Sequence, residues 1–193
     1  MLQKHTSKHL NNVMKKKPTR QLILEKSWDL FSCNSFFSIS MQEIANYLNI
    51  KKSLIYYYFK SKSTLYLNAL DTYFQNLFKK FAEITQRNLS PLEKINKISQ
   101  IYYDELQSSN ISGILYTNDK KIDNSISQAV DRAHSNILNF FERIISEGIN
   151  AGVFKNIDPR ISSLAIMGYI EKNKQYNNKL ETSWLDIYLL KKQ

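Results

Sequence analysis

Six neighbouring residues carry side chains that suit contact with a nucleic acid: Lys51, Lys52, Ser53, Leu54, Tyr56 and Tyr57. Lysines attract phosphates, and hydroxyl-bearing and aromatic side chains can reach base edges. At about 100° per residue, Ser53 and Tyr57 point nearly opposite to Ile55 and Phe59, and Leu54 and Tyr56 lie on the flanks. The pattern predicts a helix over residues 51–59 whose exposed face is basic and aromatic. A DNA major groove is wide enough to admit such a helix.

A second short helix is predicted directly before this surface. Ser40 is a good N-cap, and Glu43 three residues later completes a capping box. Asn49 tolerates the left-handed backbone that a tight turn requires. Residues 40–65 therefore predict a helix-turn-helix, in which the start of the second helix reaches the bases. The apolar stripe of the supporting helix consists of Met41, Ile44, Ala45 and Leu48.

A further helix over residues 19–34 is predicted to complete the small core of this region, with Pro18 at its entry. Residues 1–17 are polar and end in three lysines, which predicts a flexible basic arm. Two interpretations of the arm stay open, namely contact with phosphates or a minor groove, and a solvated tail.

The segment from Arg20 to Leu65 resembles the DNA-binding domain of the tetracycline-repressor (TetR) family, without gaps. The resemblance implies an all-α protein of about nine helices, with a three-helix head and a helical body. It also implies that Ser40 and Lys62 contact phosphates, that Gln42 touches a base, and that Tyr58 belongs to the interface. The matching residues are Arg20, Ile23, Leu24, Leu30, Phe31, Ser40, Met41, Ile44, Ala45, Ile55, Tyr56, Tyr58, Phe59, Lys60, Ser61, Lys62 and Leu65.

The chain departs from the family pattern at four positions. Ser35, Asn49 and Ser53 stand where glycine is usual, and Lys51 stands where a serine cap is usual. Asn49 is a physically reasonable replacement in a turn. Lys51 either loses a cap or adds a phosphate contact.

The charge distribution supports a nucleic-acid partner for the head. Of the formal net charge of +10, +8 belongs to residues 1–66, where eleven lysines and arginines face three acidic residues. The single Cys33 fits a reducing cytoplasm. No glycine-rich phosphate loop, paired zinc histidines or nucleophile elbow occurs, so we expect no enzyme, no cofactor and no metal. No apolar run is long enough to span a membrane.

Residues 18–65 are assigned to the DNA-binding domain and residues 66–193 to a body that binds an effector and dimerises. The apolar periodicity of the body predicts helices over 63–86, 90–106, 123–149, 159–170 and 182–190. Residues 107–121 are expected to be loop-rich around a short helix, and residues 172–179 to form a polar linker.

The aromatic content of the body, together with the resemblance, implies an effector pocket, and the scarcity of charge there favours an apolar or aromatic ligand. The candidate lining residues are Tyr73, Phe74, Phe78, Tyr102, Tyr103, Tyr116, His134 and Phe141. The resemblance also implies a two-fold dimer through the last two helices, for which the candidates are Leu164, Met167, Gly168, Trp184, Ile187 and Tyr188.

We therefore expect a ligand-responsive repressor that binds a palindromic operator as a cytoplasmic homodimer. The alternative is an all-helical small-molecule-binding or scaffold protein without specific DNA binding.

Overall fold

The computed structural model describes residues 20–34, 36–108, 124–176 and 179–190. Within these ranges the regular structure consists of eight α-helices and one 3₁₀ turn, and the one β-type pairing is an isolated bridge between Phe154 and Leu190. The predicted all-α class is confirmed. The elements are α1 (Arg20–Phe31), the 3₁₀ turn (Phe36–Ser38), α2 (Met41–Tyr47), α3 (Lys52–Tyr58), α4 (Lys62–Gln86), α5 (Pro91–Ser108), α6 (Asn124–Asn150), α7 (Pro159–Gln175) and α8 (Ser183–Leu189).

The first compact unit ends at Thr72, inside α4. Its core is built from the apolar faces predicted for α1 to α3, because these helices are too short to be stable without burying them. Arg20 closes one side of this core by bonding Asn68 and lying 5.2 Å from the centre of the Phe59 ring. The core residues from these elements and the start of α4 are Ile23, Leu24, Trp28, Phe31, Ile39, Met41, Ile44, Ala45, Leu48, Ile55, Phe59, Leu65, Tyr66, Ala69 and Leu70.

Tyr66 explains why the first unit extends beyond residue 65, where the sequence placed the boundary. Its ring is 3% exposed and lies edge-on to Phe31 and Phe36, at 4.9 and 5.0 Å between ring centres. Burial raises the pKa of the Tyr66 hydroxyl to about 12. Tyr66 thus belongs to the core of the first unit, although the sequence analysis assigned it to the body.

The second unit begins at Tyr73 and is built on α5, α6 and α7, which pack against one another. Two helix starts predicted from sequence are confirmed. Ser90 and Glu93 form a capping box before Pro91, and the Asp158 carboxylate accepts a 2.8 Å bond from the backbone N–H of Ile161. These side chains satisfy backbone donors that a helix start leaves unpaired.

The predicted linker over residues 172–179 is wrong in its first half, because α7 continues to Gln175. Lys172 and Lys174 lie in the last helical turn, where positive charge complements the helix dipole. Lysine is also a good helix former. A polar sequence was therefore mistaken for a break in the helix.

The short helix α8 is held in place by the segment that follows α6. The Lys155 backbone N–H donates to the Leu189 carbonyl at 2.8 Å, and its Nζ donates to the Tyr188 carbonyl at 3.2 Å. Phe154 is fully buried beside Gly148. The end of the described chain is thereby fastened to α6.

Three sequence predictions lie wholly or largely outside the described residues, namely the basic arm over 1–17, the loop-rich stretch over 107–121 and the candidate Tyr116. In the part of the chain that is described, no helix has both the length and the apolar character that a membrane crossing requires.

Candidate nucleic-acid interface and effector site

Helix α3 presents the surface that its sequence predicts. Ile55 and Phe59 are buried in the first unit at 0% and 1% exposure, which fixes the rotation of the helix. Tyr57 is consequently 78% exposed and Tyr56 45% exposed. The positions assigned to DNA contact on this helix divide into exposed residues (Lys51, Lys52, Ser53, Tyr56 and Tyr57) and half-buried residues (Leu54 and Tyr58).

The turn between α2 and α3 depends on two local features that the sequence analysis singled out. Asn49 has a φ of 51°, the left-handed conformation expected for it. Ser40 Oγ accepts from the Glu43 N–H at 3.2 Å, while Glu43 returns a 2.7 Å bond to the Ser40 N–H. The backbone bond from Ser40 is the main cause that lowers the pKa of the Glu43 carboxyl. The carboxylate therefore stays charged and keeps the helix start closed.

Lys51 occupies the N-cap position of α3, and its side chain forms no capping hydrogen bond. The neighbouring Lys52 ammonium lies 5.7 Å from the centre of the Tyr56 ring. Both lysines remain exposed at the start of the helix. Positive charge at this end opposes the helix dipole, so an anion placed there would be favoured.

Lys62 is held by the first unit itself, a contact that the sequence did not reveal. Its Nζ donates to the carbonyls of Phe36 and Ile39 at 2.8 and 2.9 Å and lies 4.4 Å from the centre of the Phe36 ring. Burial lowers the pKa of the ammonium, and the Glu43 carboxylate partly opposes that change. An ammonium has three N–H donors, so one is left for the phosphate contact that the resemblance implied.

Gln42 and Tyr47 lie on the exposed side of α2. The Gln42 amide donates to the Asn46 side chain at 3.0 Å. A base contact by Gln42 stays a prediction, and it would require this bond to be exchanged or shared.

In the second unit, the aromatic candidates separate into a stack and buried core positions. Phe74, Phe78 and Phe140 stack in sequence at 6.0 and 5.9 Å between ring centres, and Tyr73 lies edge-on to Phe74. Phe141 is fully buried, as an ordinary core residue would be. Contact of any of these rings with an effector stays a prediction.

Two polar candidates, Tyr102 and His134, are brought together by a residue that the sequence analysis did not single out. Tyr102 donates to Glu171 Oε1 at 2.8 Å, and His134 Nε2 lies 3.6 Å from the same oxygen. We call these three residues the Glu171 cluster. A signal was available, because Glu171 follows Met167 by four residues and so shares the buried face of α7. Tyr103 lies apart from the cluster, and its hydroxyl accepts from Gln107 at 2.8 Å.

Burial sets the charge states in the Glu171 cluster. It raises the pKa of the Glu171 carboxyl to about 6, although the hydrogen bond from Tyr102 acts in the opposite direction. It lowers the pKa of His134, with the charge of Asp131 opposing that shift. The pKa of Tyr102 is held well above its usual value by burial and then by Glu171, so the hydroxyl remains a donor.

The raised pKa of Glu171 makes stability depend on pH. The protonated Glu171 carboxyl contributes to the free energy of unfolding. This contribution is fully present below the ordinary pKa of 4.5 and is lost as the pH rises through the folded-state pKa of about 6. We therefore expect Glu171→Gln, which cannot ionise, to be more stable than the wild type at about pH 7.5, by roughly 1–2 kcal/mol, and to lose most of this advantage near pH 4.5.

Urea unfolding of the two proteins across this pH range measures the difference. His134 has the opposite pH dependence and is present in both proteins, so the difference reports mainly on Glu171. If Glu171→Gln were more stable than the wild type by the same amount at every pH, the raised pKa would not belong to Glu171.

A second polar contact ties the body half of α4 to α5. Tyr73 donates to Glu105 at 2.7 Å, and Lys80 contacts the other carboxylate oxygen at 2.5 Å. Because α4 contains residues of both units, this contact lies on the helix that joins them along the chain.

The dimer candidates on α7 face two different ways. Leu164 is 48% exposed, and a methyl group added at Gly168 would meet, among the described residues, no atom within 4 Å beyond its chain neighbours and the nearby backbone of α7. Met167 is 1% exposed and faces the interior of its own protomer, which disfavours contact with a partner, so its interface role stays a prediction. The reason is the helical period, which places Met167 with the buried Ile166 and Ile170.

On α8, Trp184 packs against Tyr169 and Tyr188, at 4.8 and 5.8 Å between ring centres. The Tyr188 hydroxyl lies 3.2 Å from Ser162 Oγ. The side chain of Ile187 lies outside the described part of the structure. Interface roles for Trp184, Ile187 and Tyr188 stay predictions.

Among the residues the structure describes, no group of three or more His, Cys, Asp and Glu side chains is arranged to hold a metal ion. The Glu171 cluster has one carboxylate and one imidazole, and its third member is a phenol. Its chemistry is that of hydrogen bonding and charge.

Sequence comparison places residues 23–69 within a family described as bacterial regulatory proteins, tetR family. The chain is also 33% identical over 90 residues to the HTH-type transcriptional regulator YuxN of Bacillus subtilis. This match covers 47% of the chain and 31% of YuxN.

Structural comparison extends the likeness to most of the chain. A transcriptional regulator from Saccharomonospora viridis, solved in complex with choline, superimposes with a TM-score of 0.75 at 18% identity, covering 90% of this chain and 98% of that one. AibR, solved with isovaleryl coenzyme A and operator DNA, gives a TM-score of 0.63 at 20% identity, covering 83% and 90% of the two chains. At these identities the matches establish the fold.

Proposed function

Because the chain belongs to the TetR family of bacterial regulatory proteins, we propose that it is a ligand-responsive repressor that binds a palindromic operator as a homodimer. It acts in the cytoplasm and catalyses no reaction. The observation that carries this proposal is the surface of α3, where lysines, a serine and two tyrosines are exposed.

The proposed division of labour on DNA follows from the exposure and chemistry of each side chain. Ser40, Lys51 and the free donor of Lys62 position the first unit on phosphates, since helix starts and ammonium groups favour anions. Residues 52–57 read base edges, because they occupy the first turns of the second helix in a helix-turn-helix. The excess of positive charge in residues 1–66 draws this end of the molecule to the duplex.

Ligand response is proposed to pass through α4. The helix continues from Lys62 in the first unit to Gln86 in the second, and in the second unit Glu105 holds its Tyr73 and Lys80. An effector that moves α5 would therefore act on α4 and change the separation of the two heads. This couples two sites through one element with two states. The neighbours solved with choline and with isovaleryl coenzyme A support small-molecule binding by this fold.

A direct test measures binding of the full-length protein to DNA from upstream of its own gene, by fluorescence anisotropy at several salt concentrations. We expect an affinity at least about 10³-fold above that for a shuffled fragment at physiological salt. Affinity for both fragments should fall steeply as salt rises. Equal affinity for the two fragments would favour the alternative, an all-helical ligand-binding or scaffold protein.

Tyr57 provides a test of base reading. With 78% of its surface exposed, Tyr57→Ala should change the preference among single-base operator variants by about 1–3 kcal/mol at one position. Binding to a panel of such variants measures this, and Tyr57→Phe separates the hydroxyl from the ring. Tyr47→Ala is the control, because Tyr47 is also exposed, at 49%, but lies on α2. An unchanged preference in Tyr57→Ala would show that Tyr57 reads no base.

The proposed dimer uses the exposed apolar side of α7. Ile161 and Leu164 are 64% and 48% exposed, Ala165 is exposed beside them, and the open space at Gly168 allows a second helix to approach closely. Apolar side chains on the outer side of one helix indicate a protein partner more readily than isolated ones do. A two-fold axis would also pair the recognition helices as a palindromic operator requires.

Leu164→Arg should weaken this dimer, because it places a charge at the centre of an apolar contact. We expect the dissociation constant to rise about 30-fold or more, measured by analytical ultracentrifugation. Ser127→Arg on the exposed side of α6 adds the same side chain elsewhere and should leave it unchanged. An unaltered dimer in Leu164→Arg would place the interface away from this part of α7.

A further inference from the structure

The carboxylate of Glu171 differs from three other carboxylates of the second unit that bear ion pairs. Glu105 pairs with Lys80 at 2.5 Å, Glu147 with Lys94 at 2.7 Å, and Glu142 with Arg160 at 2.9 Å. Glu171 is the most buried of the four, with 13% of its side chain exposed, against 17% for Glu105, 24% for Glu142 and 46% for Glu147. Within the described residues, no lysine or arginine lies within ion-pair distance of it.

The groups that do face Glu171 leave its charge uncompensated. Tyr102 donates one neutral hydrogen bond to Oε1, and His134 Nε2 lies 3.6 Å from the same atom. Burial lowers the pKa of His134, so the imidazole is predominantly neutral at neutral pH. The second oxygen, Oε2, receives no hydrogen bond from any described residue. Glu171 is largely but not fully shielded from water, and a shielded carboxylate is costly unless a cation or several donors accompany it.

We propose, building on the ligand-responsive function above, that Glu171, Tyr102 and His134 form the polar end of the effector site and that the effector is an organic cation. The ligand's positive charge supplies the counter-charge that the chain itself provides for Glu105, Glu142 and Glu147. Tyr102 is fully buried and contributes its hydroxyl, which holds Oε1 in place. This inference replaces the apolar or aromatic ligand expected from the sequence, because that expectation did not include Glu171.

The site also has a route to the DNA-binding end of the molecule. Tyr102 and Glu105 lie about one turn apart on α5, and the charge of Tyr73 is the smallest of the named causes that raise the pKa of Tyr102. Tyr73 lies on α4 and donates to Glu105. A cation that draws Glu171 away from Tyr102 would therefore act on the α5 segment that holds α4.

The test uses calorimetry on the full-length protein with choline, acetylcholine, tetraethylammonium and benzyltrimethylammonium, and with 3,3-dimethylbutan-1-ol as the neutral counterpart of choline. At least one cation should bind, and choline should bind about tenfold or more tightly than its neutral counterpart. Glu171→Gln should weaken cation binding by about tenfold or more and remove the preference for charge. Glu142→Gln is the control, since that carboxylate already pairs with Arg160, and it should bind cations as the wild type does.

A pH profile separates recognition from a merely structural role. Cation affinity of the wild type should rise between about pH 5 and 7 as Glu171 ionises, and the profile of Glu171→Gln should be flatter. Failure of all four cations to bind at 10 mM, equal binding of choline and its neutral counterpart, or unchanged binding in Glu171→Gln would overturn the proposal.

Operator binding, measured in parallel without any cation, distinguishes this proposal from the function on which it rests. Release of the operator by isovaleryl coenzyme A but by none of the cations would overturn the cationic effector and leave the repressor function standing. If the protein bound cations through Glu171 but bound no operator, the repressor function would be overturned and the cation site would stand.

Discussion

Replacing Gly148 with alanine is expected to lower the free energy of unfolding by about 1–3 kcal/mol. A Cβ at this position would lie 2.2 Å from Cδ2 of the buried Phe154 ring. The ring cannot move easily, because the Phe154 N–H is bonded to the Gly148 carbonyl and the next residue is bonded to α8. Alanine would otherwise stabilise a helix interior relative to glycine by about 1 kcal/mol, so the sign of the change reports on the clash. Urea unfolding followed by circular dichroism measures it.

Gly168→Ala is the matched control, because the same added methyl group meets no described atom within 4 Å beyond its chain neighbours and the nearby backbone of α7. We expect this variant to be unchanged or slightly more stable, and unfolding at several protein concentrations separates any effect on the dimer. In the background of Phe154→Ala, the cost of Gly148→Ala should fall, since the clashing ring is gone. A Gly148→Ala protein as stable as the wild type would show that Phe154 can be displaced without cost.

Lys62→Ala is expected to have two separable effects. It removes two hydrogen bonds from the ammonium to the carbonyls of Phe36 and Ile39, which should destabilise the protein by about 1–3 kcal/mol. It also removes the one donor left for a phosphate, so the dependence of log affinity on log salt should become shallower by about 0.9. Unfolding measurements and a salt titration of operator binding report on these effects independently.

Lys60→Ala provides the comparison for Lys62→Ala, because it removes the same charge from an exposed side chain that forms no hydrogen bond among the described residues. It should leave stability within about 0.5 kcal/mol of the wild type. An unchanged salt slope in Lys62→Ala would show that Lys62 contacts no phosphate and serves only to hold the 3₁₀ turn and the segment after it. Unchanged stability would show that the two carbonyl contacts contribute little in solution.

Structural features that depend on residues close together along the chain could be predicted from the sequence. The capping box of Ser40 and Glu43, the left-handed Asn49, and the buried Ile55 that turns Tyr57 outward all follow from local chemistry and the helical period. Each depends on residues within about one turn of helix. The all-α class and the position of the helix-turn-helix could therefore be predicted.

Contacts between distant parts of the chain could not be predicted in this way. Lys62 bonds a turn 23–26 residues earlier in the chain, and Glu171 meets a tyrosine 69 residues away. The helical period can place Glu171 on the inward face of α7, but the sequence does not identify the partner of either residue.

The sequence by itself determined which residues α3 exposes, because the helical period places the apolar Ile55 and Phe59 on the inward face of this helix. Only the tertiary structure decided that Met167 turns inward, that Lys62 is already bonded within its own unit, and that Glu171 lacks a cation. The physical reason is that burial and charge compensation are properties of packed neighbours. The largely shielded carboxylate of Glu171, with no lysine or arginine among the described residues to pair with it, was therefore recognisable only once α5, α6 and α7 were brought together.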